Sequence, residues 1–340
     1  MKILVTGSAG FVGGHMVRAL LDHGHAVAGL DRKTMSPPEG VRYFLCDILT
    51  ADAVKAAVSE FQPDVVVHLA ANTNIYETAG LAAYAANFDG VRNVIEAIRQ
   101  TPSVRRLIVT SSQAVCRVGH TPTHDTDYAP ATAYAQSKVQ TERVVRELDG
   151  GGVAWCIVRP PTVWGPGMIE HYRRFFRMVA RGMYVHVGHR VVHRPFVYVG
   201  NIVHQYEKLL AVPDETIRRK TLNLGDYDPL PIRGWTDSIQ RALGARPIRT
   251  VPVPIARVIA RLGDVVSLAV RDFPFTTFRL NNMLTEYFHD LSETARVCGP
   301  LPYTMDQGVA LTVAWLRQIG VVPPQSRPAW RRAAMKDPGT

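Results

Sequence analysis

The fold follows from the stretch Thr6-Gly7-Ser8-Ala9-Gly10-Phe11-Val12-Gly13, which lies between a β-branched run and a helix-period run. Gly7 can make the tight turn, Gly10 lets the backbone approach a pyrophosphate, and Gly13 lets the helix pack close to a sheet. The N–H groups and the dipole at the helix N-terminus then hold the phosphates. The alternative is a plain strand–helix turn, because turns collect glycine.

The acidic residue expected after such a loop is Asp31, which ends the second predicted strand. A carboxylate there accepts hydrogen bonds from the adenosine ribose and repels a 2′-phosphate, so it favours NAD over NADP. Arg32 and Lys33 follow directly and could bind that phosphate, which makes NADP the alternative cofactor. Asp47 is placed for the adenine edge, although an acid at the N-terminus of the next helix is an equally good interpretation.

Through the first half of the chain, short β-branched runs alternate with helix-period stretches. Strands are predicted over 2–6, 26–30, 43–45, 64–68, 106–110 and 154–158, and helices over 11–22, 51–61, 81–99 and 134–148. This order predicts the α/β class, as a Rossmann-type doubly wound parallel sheet with its ligand crevice beyond the carboxyl ends of the strands.

The regular alternation stops after Arg159, and the later sequence predicts a smaller, mainly helical domain. We expect an NAD-binding domain over 1–165, to which 195–224 returns. A substrate-binding domain is expected over 166–194 and 225–322, and a poorly ordered tail over 323–340.

The composition is ordinary for a globular protein of 340 residues, with 46% hydrophobic and 20% charged residues. The four cysteines form no CxxC pair and no signal peptide is visible, so we expect reduced thiols and a cytoplasmic protein. The net charge of +10 suits nucleic acid, an anionic membrane surface, anionic small molecules or simple solubility. No nucleic-acid-binding module is visible, so we expect no nucleic-acid partner.

We expect neither a metal site nor an integral membrane segment. His186, His189 and His193 lie close in sequence, but their spacing matches no common metal site. Two stretches, Tyr172–Arg181 and Ile255–Val266, are amphipathic and basic. For both, the favoured interpretation is core packing with the arginines outside, and peripheral membrane contact is the alternative.

A catalytic pair is predicted in Tyr134-Ala135-Gln136-Ser137-Lys138, because residues four apart share a helix face. A tyrosine with a pKa of about 10 is a poor base at neutral pH, and a nearby ammonium lowers that pKa. Tyr134 can then take a proton from a substrate hydroxyl or return it. The alternative is an exposed helix face with two large polar residues.

The second element is the serine-rich strand end Val109-Thr110-Ser111-Ser112-Gln113-Ala114-Val115. A hydroxyl here can orient the substrate oxygen and Tyr134, whereas the alternative is a serine that caps a turn. The glycine loop, Asp31, the serines and the Tyr-x-x-x-Lys pair are more specific in this order than any one of them alone.

With these motifs the chain resembles the extended short-chain dehydrogenase/reductases of the NAD-dependent (sugar-nucleotide) epimerase/dehydratase family over nearly its whole length. The resemblance implies a catalytic Ser112, Tyr134 and Lys138. It implies cofactor contacts at Gly7, Gly10, Phe11, Val12, Gly13, Asp31, Arg32, Asp47, Ile48, Leu69, Ala70, Ala71, Asn87, Thr110, Tyr134, Lys138 and Pro160. It implies substrate contacts at Thr73, Ser112, Gln113, Thr162 and Arg194, of which the arginine would grip a diphosphate.

The chain departs from the family pattern at several positions. Gln113-Ala114 replaces the acidic pair of the dehydratases, so we expect no water elimination. Thr162 stands in place of a common asparagine, and Pro195 and Gly200-Asn201 replace acids. The stretch Phe196–Asn201 also resembles the 3β-hydroxysteroid dehydrogenase branch.

The motifs and the resemblance lead to three hypotheses for the function. The leading one is an epimerase or ketoreductase acting on a nucleotide sugar, a small-molecule substrate. The second is an NAD(P)-dependent dehydrogenase of a steroid-like hydroxyl. The third is a catalytically retired NAD sensor that binds a partner protein. The resemblance also implies a homodimer formed through the helices over 81–99 and 134–148.

Overall fold

The computed structural model describes residues 1–75, 77–267 and 275–324, apart from the side chains of His171 and Phe278. The chain divides into two compact units. The first unit comprises Met1–Trp164, His193–Leu230 and Thr285–Tyr303, and the second comprises Gly165–Val192, Pro231–Leu284 and the chain from Thr304 onward. Most of the tail predicted to be poorly ordered, residues 325–340, lies outside the described residues.

The described secondary structure follows the chain in this order. The strands are β1 (Lys2–Thr6), β2 (Ala26–Asp31), β3 (Arg42–Leu45), β4 (Val65–His68), β5 (Arg106–Thr110), β6 (Ala154–Arg159), β7 (Thr162–Trp164), β8 (Val185–Val187), β9 (His193–Arg194), β10 (Phe196–Tyr198), β11 (Lys220–Asn223), β12 (Leu230–Pro231) and β13 (Arg249–Val251). The α-helices are α1 (Phe11–Asp22), α2 (Ala51–Phe61), α3 (Ala85–Arg99), α4 (Ala133–Glu147), α5 (Glu170–Ala180), α6 (Val199–Ala211), α7 (Asp214–Ile217), α8 (Ile232–Leu243), α9 (Val253–Val266), α10 (Thr277–Leu284), α11 (Ser292–Cys298) and α12 (Met305–Gln318).

A seven-stranded sheet with the order β11-β6-β5-β4-β1-β2-β3 forms the centre of the first unit, and its neighbouring strands are parallel. The strands β4 and β6 are buried at every residue, as expected where helices cover both faces of a parallel sheet. The predicted α/β class is therefore confirmed.

The register of the sheet brings the predicted site to one edge. Thr6 pairs with both Leu30 and His68, His68 pairs with Val109, and the next residue, Thr110, pairs with Val158. Because all these strands run in the same direction, the segments that follow β1, β4, β5 and β6 leave the sheet at the same edge.

Residues 285–303, which the sequence assigns to the smaller domain, cluster with the first unit instead. The Thr294 hydroxyl donates a hydrogen bond of 2.6 Å to the Asn223 carbonyl. The Tyr303 N–H donates a hydrogen bond of 3.0 Å to the side-chain oxygen of Asn201. These long-range contacts are not encoded in local periodicity, which explains why the sequence prediction set the boundary elsewhere.

The second unit packs around aromatic side chains. On α5, Phe176 is fully buried, and the Phe175 ring stacks on the Trp235 ring of α8 with the centroids 5.2 Å apart. The edge of the Tyr184 ring meets the same Phe175 ring at 5.3 Å. The prediction that the 172–181 helix packs its apolar side chains into the core is confirmed.

The same prediction is wrong for the 255–266 helix. The large apolar side chains of α9 are exposed: Ile255, Val258, Ile259, Leu262, Val265 and Val266. The buried residues of α9 are Ala256, Ala260 and Gly263, which face a cluster that includes Leu280 of α10. Small residues let α9 approach α10 closely, so the helix packs through its face of small side chains.

Candidate active site

The glycine loop between β1 and α1 is packed too tightly for other residues. Gly7 has a φ of +73°, and a Cβ there would lie 2.7 Å from the backbone nitrogen of Ala70. A Cβ on Gly13 would lie 2.1 Å from the carbonyl oxygen of Gly7. The helix α1 begins after Gly10, and no side chain caps its first turn. Uncapped N–H groups of a helix that starts at a glycine turn suit a diphosphate, so the residues present fit a dinucleotide.

Asp31 at the end of β2 is joined to this loop. One carboxylate oxygen accepts a hydrogen bond of 3.0 Å from the Ala9 N–H, and the other accepts one of 3.0 Å from the Lys33 N–H. The carboxylate is therefore held beside the glycine turn, while Arg32 is exposed. This placement fits the predicted contact of Asp31 with the ribose hydroxyls.

Asp47 and Ile48 follow β3. The Asp47 carboxylate accepts a hydrogen bond of 2.9 Å from the Leu49 N–H, and α2 begins only at Ala51. The acid thus closes a turn before the helix. Ile48 is buried, and its side chain fills the space that a Cβ on Gly90 would need. Neither contact tests the predicted role of these residues towards adenine.

The segment after β4 contains Leu69, Ala70 and Ala71 and is held by buried polar groups. Asn87 of α3, fully buried, accepts a hydrogen bond of 2.7 Å from the Asn72 N–H and donates one of 2.8 Å to the Ser137 hydroxyl of α4. Its side-chain amide therefore fixes the positions of α3, α4 and this segment. Thr73, a predicted substrate contact, is exposed in the same segment.

Tyr134 and Lys138 lie one turn apart on α4, which the Thr132 side chain caps. The Tyr134 ring is partly buried, 6.1 Å from the ring of Tyr84. Lys138 is 3% exposed and donates a hydrogen bond of 3.0 Å to the carbonyl oxygen of Thr110 at the end of β5. Burial lowers the pKa of Lys138 from 10.5 to about 8, and the nearby Glu142 carboxylate opposes that shift. The structure thus brings the predicted lysine to the end of the predicted strand.

His68 at the end of β4 is a buried neighbour of this lysine. Its Nδ1 lies 2.9 Å from the Thr6 hydroxyl, and its Nε2 has no hydrogen-bond partner among the described residues. Burial, aided by the charge of Lys138, lowers the pKa of His68 to about 3. The imidazole is therefore neutral at physiological pH.

The two serines after β5 have different environments. Ser111 is buried and donates a hydrogen bond of 2.6 Å to the Glu142 carboxylate. Ser112 is partly exposed, and its hydroxyl accepts a hydrogen bond of 3.1 Å from the Ala114 N–H. Of these two serines only Ser112 is accessible, and it is the one that the family resemblance implies as catalytic.

Glu142 was not predicted as a site residue, yet it organises the space behind Lys138. It is fully buried and accepts hydrogen bonds from Ser111, from the Tyr128 hydroxyl at 2.9 Å and from two nitrogens of Arg159 at 2.7 Å each. In the sequence Glu142 looks like half of an exposed helix pair with Arg146, since charges four apart usually lie on the surface.

The remaining predicted substrate contacts lie around β6, β7 and β9. Gln113 is buried. Its backbone N–H donates a hydrogen bond of 3.0 Å to the Pro160 carbonyl, and its side-chain amide donates one of 3.1 Å to the Leu224 carbonyl. Thr162 begins β7, which pairs with β10. Arg194 donates a hydrogen bond of 3.2 Å to the Thr285 carbonyl. No contact in the structure tests the substrate roles.

Arg194 also lies over an aromatic ring. The centre of its guanidinium is 4.9 Å from the centroid of the Tyr287 ring, and burial lowers the pKa of Arg194. The Tyr287 ring in turn meets the ring of His289 at 5.7 Å. Burial lowers the pKa of His289 to about 4, so this histidine is also neutral. Tyr287 and His289 lie in the segment that the sequence assigned to the other domain and were therefore missed.

Two of the three closely spaced histidines have separate carboxylate partners. His186 lies 2.8 Å from the Asp237 carboxylate, and His193 lies 3.0 Å from the Glu286 carboxylate. Across residues 1–75, 77–267 and 275–324, no cluster of three or more potential metal ligands is found.

The glycine loop, the acid at the end of β2 and the Tyr–Lys pair beside a serine define a dinucleotide-dependent short-chain dehydrogenase/reductase. Residues 3–225 match the model of the NAD dependent epimerase/dehydratase family, and the chain belongs to this family. The predictions of the family, of an enzyme and of NAD as its cofactor are confirmed.

The proteins similar to this chain include both hydroxysteroid dehydrogenases and sugar epimerases. A 3 beta-hydroxysteroid dehydrogenase/Delta 5→4-isomerase of Mycobacterium tuberculosis is 30% identical over 260 residues, which are 72% of this chain and 70% of that protein. An N-acetyl-alpha-D-glucosaminyl-diphospho-ditrans,octacis-undecaprenol 4-epimerase of Escherichia coli is 24% identical and covers 92% and 95% of the two chains. The NAD complex of UDP-glucose 4-epimerase from Thermus thermophilus shares the fold with a TM-score of 0.68 at 22% identity over 93% and 99% of the two chains.

Proposed function

We propose that this protein oxidises a secondary alcohol or reduces the corresponding ketone, with Tyr134 as the acid–base group. The observation that carries the proposal is the buried Lys138 ammonium one turn from Tyr134 on α4. A charge that has lost its water stabilises a nearby tyrosinate far more than an exposed lysine would. Tyr134 then takes the alcohol proton during oxidation and gives it back during reduction, while Ser112 orients the substrate oxygen.

NAD, when bound, accepts the hydride from the alcohol carbon or returns it to the ketone. The chain supplies the first turn of α1 for the diphosphate, Asp31 for the adenosine ribose, and the Asp47–Ile48 turn for the adenine. Lys138 is placed to bind the nicotinamide ribose as well as to support Tyr134, since both functions need its ammonium at the end of β5.

For the substrate we propose an apolar secondary alcohol of the steroid type. The hydroxysteroid dehydrogenase relative supports this choice, because it is 30% identical to the chain. The contacts of Arg194 support it as well. This side chain donates to Thr285 and lies on the Tyr287 ring, so part of its binding capacity is already used within the protein.

A nucleotide sugar is the second candidate substrate, and Arg194 is also the observation that favours it. The hydrogen bond to Thr285 is made through one terminal nitrogen, and a guanidinium has five N–H donors. A bidentate contact with a diphosphate is therefore chemically compatible with this position. The Escherichia coli relative, whose name gives a diphospho-linked sugar as its substrate, supports this candidate at 24% identity.

The experiment is to follow cofactor absorbance with hydroxysteroids and, separately, to follow interconversion of UDP- and dTDP-hexoses without added cofactor. The variant Arg194→Ala is measured beside the wild type. For a steroid substrate we expect a KM that changes less than about threefold, because Arg194 would not hold it. A rise in KM of about a hundredfold for a UDP-hexose would instead establish the nucleotide-sugar function. Absence of turnover with both classes would contradict both candidates.

The cytoplasm is the proposed location, supported by four buried cysteines of which none is paired. A homodimer through α3 and α4 stays a proposal. The exposed side chains of the two helices are polar and include the Arg92–Glu147 ion pair at 3.6 Å. Light scattering of the purified protein tests it, and a monomer at micromolar concentration would contradict it.

A further inference from the structure

The helix α9 exposes an apolar stripe of unusual size. Between 39% and 66% of the surface of each of six large aliphatic residues is exposed, and these residues recur at the spacing of one helix face: Ile255, Val258, Ile259, Leu262, Val265 and Val266. Monomeric proteins scatter exposed apolar residues singly, and a contiguous patch marks a surface that binds something.

The opposite face of α9 explains why this stripe is held outward. Ala256 and Ala260 are fully or almost fully buried, and they form a cluster with Leu280 of α10. Val187 and Val251 pack against the same cluster. The helix is thus anchored through small residues, and a rotation that buried the large side chains would lose this close packing.

The charge of the second unit indicates what the stripe binds. The described residues of this unit contain thirteen arginines against four aspartates and glutamates, which gives a net charge of +9. The first unit contains 21 arginines and lysines against 23 aspartates and glutamates, a net charge of −2. On α9 itself, Arg257 and Arg261 are exposed and lie along one side of the stripe. The positive charge is therefore concentrated in the unit that carries the apolar face.

We propose that α9 docks this protein on the surface of an anionic lipid bilayer, with its six aliphatic side chains at the headgroup–acyl boundary. A bilayer offers an apolar layer and negative headgroups together, which matches both properties of the surface. Pairing of two chains through α9 would bring together two copies of this unit, each with a net charge of +9. Like charges oppose such self-association.

The length of α9 sets its orientation. Its 14 residues extend about 21 Å, less than the roughly 30 Å of a bilayer core. No helix within the described residues is long and apolar enough to cross a membrane. The helix therefore lies in the plane of the interface.

The test is flotation of the full-length protein with vesicles of phosphatidylcholine, alone or mixed with phosphatidylglycerol. We expect wild type to float with the mixed vesicles, less so as salt is added, and only weakly with phosphatidylcholine alone. The double variant Val258→Glu/Leu262→Glu should lower the vesicle partition coefficient about tenfold or more. The matched control is Leu311→Glu/Ile319→Glu, which places the same two charges at residues of the second unit that are 46% and 42% exposed, and should float like wild type.

A second measurement does not depend on the charge substitutions. Because all four native cysteines are buried, a Leu262→Cys variant gives one accessible thiol for a polarity-sensitive fluorophore. Its emission should shift to the blue with mixed vesicles, whereas the label on Leu311→Cys should not respond. Failure of wild type to float, or equal responses of the two labels, would overturn the proposal. So would a fall in molar mass of the double variant in lipid-free solution, since that result assigns the stripe to self-association.

Discussion

Two successive turns of α4 contain buried charges with very different surroundings. Lys138 makes its hydrogen bond to a neutral carbonyl, that of Thr110, and its pKa is lowered. Glu142, one turn later, accepts from Ser111, from Tyr128 and twice from Arg159. The carboxylate accepts four hydrogen bonds, whereas the ammonium donates one to the residues that the structure describes.

This difference in hydrogen bonding indicates that Glu142 stabilises the fold, whereas Lys138 is available for catalysis. A buried charge with a complete set of hydrogen-bond partners is held in one position. A buried charge with few partners is held at a free-energy cost and stabilises any negative charge that develops nearby. The following variants test whether the Tyr134–Lys138 turn of α4 is catalytic and the Glu142 turn is structural.

The largest effect is expected for Tyr134→Phe. Removal of the acid–base hydroxyl should lower kcat by two to four orders of magnitude, with unfolding free energy and NAD affinity nearly unchanged. Steady-state kinetics and cofactor titration measure both quantities. Retained turnover would remove Tyr134 from the mechanism, and turnover abolished with NAD binding intact would exclude a catalytically retired NAD sensor.

On the other side of the comparison, Glu142→Gln should affect stability most. The substitution leaves the buried Arg159 guanidinium without its carboxylate, which should cost about 3–5 kcal/mol of unfolding free energy. Urea denaturation followed by circular dichroism measures the loss. If kcat of the folded Glu142→Gln protein also fell by orders of magnitude, Glu142 would not be a purely structural residue.

The pH dependence of stability tests the environment of Lys138. Below pH 8 the lysine is charged in both states, so the folded protein bears the full penalty of its burial. Between pH 8 and 10.5 the unfolded chain holds more protons, and the contribution of Lys138 to unfolding free energy rises with pH by roughly 3 kcal/mol. The variant Lys138→Met should lack this rise. Parallel stability–pH curves for the two proteins would show that Lys138 is not desolvated.

The smallest effect is expected for Tyr128→Phe, which pairs with Tyr134→Phe as a control. The substitution removes a 2.9 Å hydrogen bond to Glu142, while three donated hydrogen bonds remain. We expect a loss of about 1–2 kcal/mol in unfolding free energy and a kcat within a factor of two of wild type. A large fall in kcat would assign Tyr128 a part in the reaction.

Much of the first unit was predictable because its signals are local. The glycine turn needs Gly7 and Gly13 at fixed places, and most sheet strands are short apolar runs that contain β-branched residues. The six strands predicted between residues 2 and 158 each lie within one residue of their predicted bounds. The Tyr134–Lys138 pair follows from helix geometry, since residues four apart share a face.

The orientation of α9 and the role of Glu142 could not be predicted, because both depend on long-range contacts that no local sequence pattern encodes. Helical periodicity identified the apolar stripe of α9, but periodicity does not say whether a stripe faces the core or the solvent. The deciding contacts come from Leu280 and other distant residues. Likewise, Glu142 is a structural residue only because Arg159 and Tyr128 arrive from elsewhere in the chain.

The division of the chain into units has a consequence for its evolution. The backbone passes from one unit to the other five times, after Trp164, Val192, Leu230, Leu284 and Tyr303. Neither unit corresponds to one continuous stretch of gene. The exchange of one continuous segment of the gene therefore cannot replace the second unit alone with that of a relative.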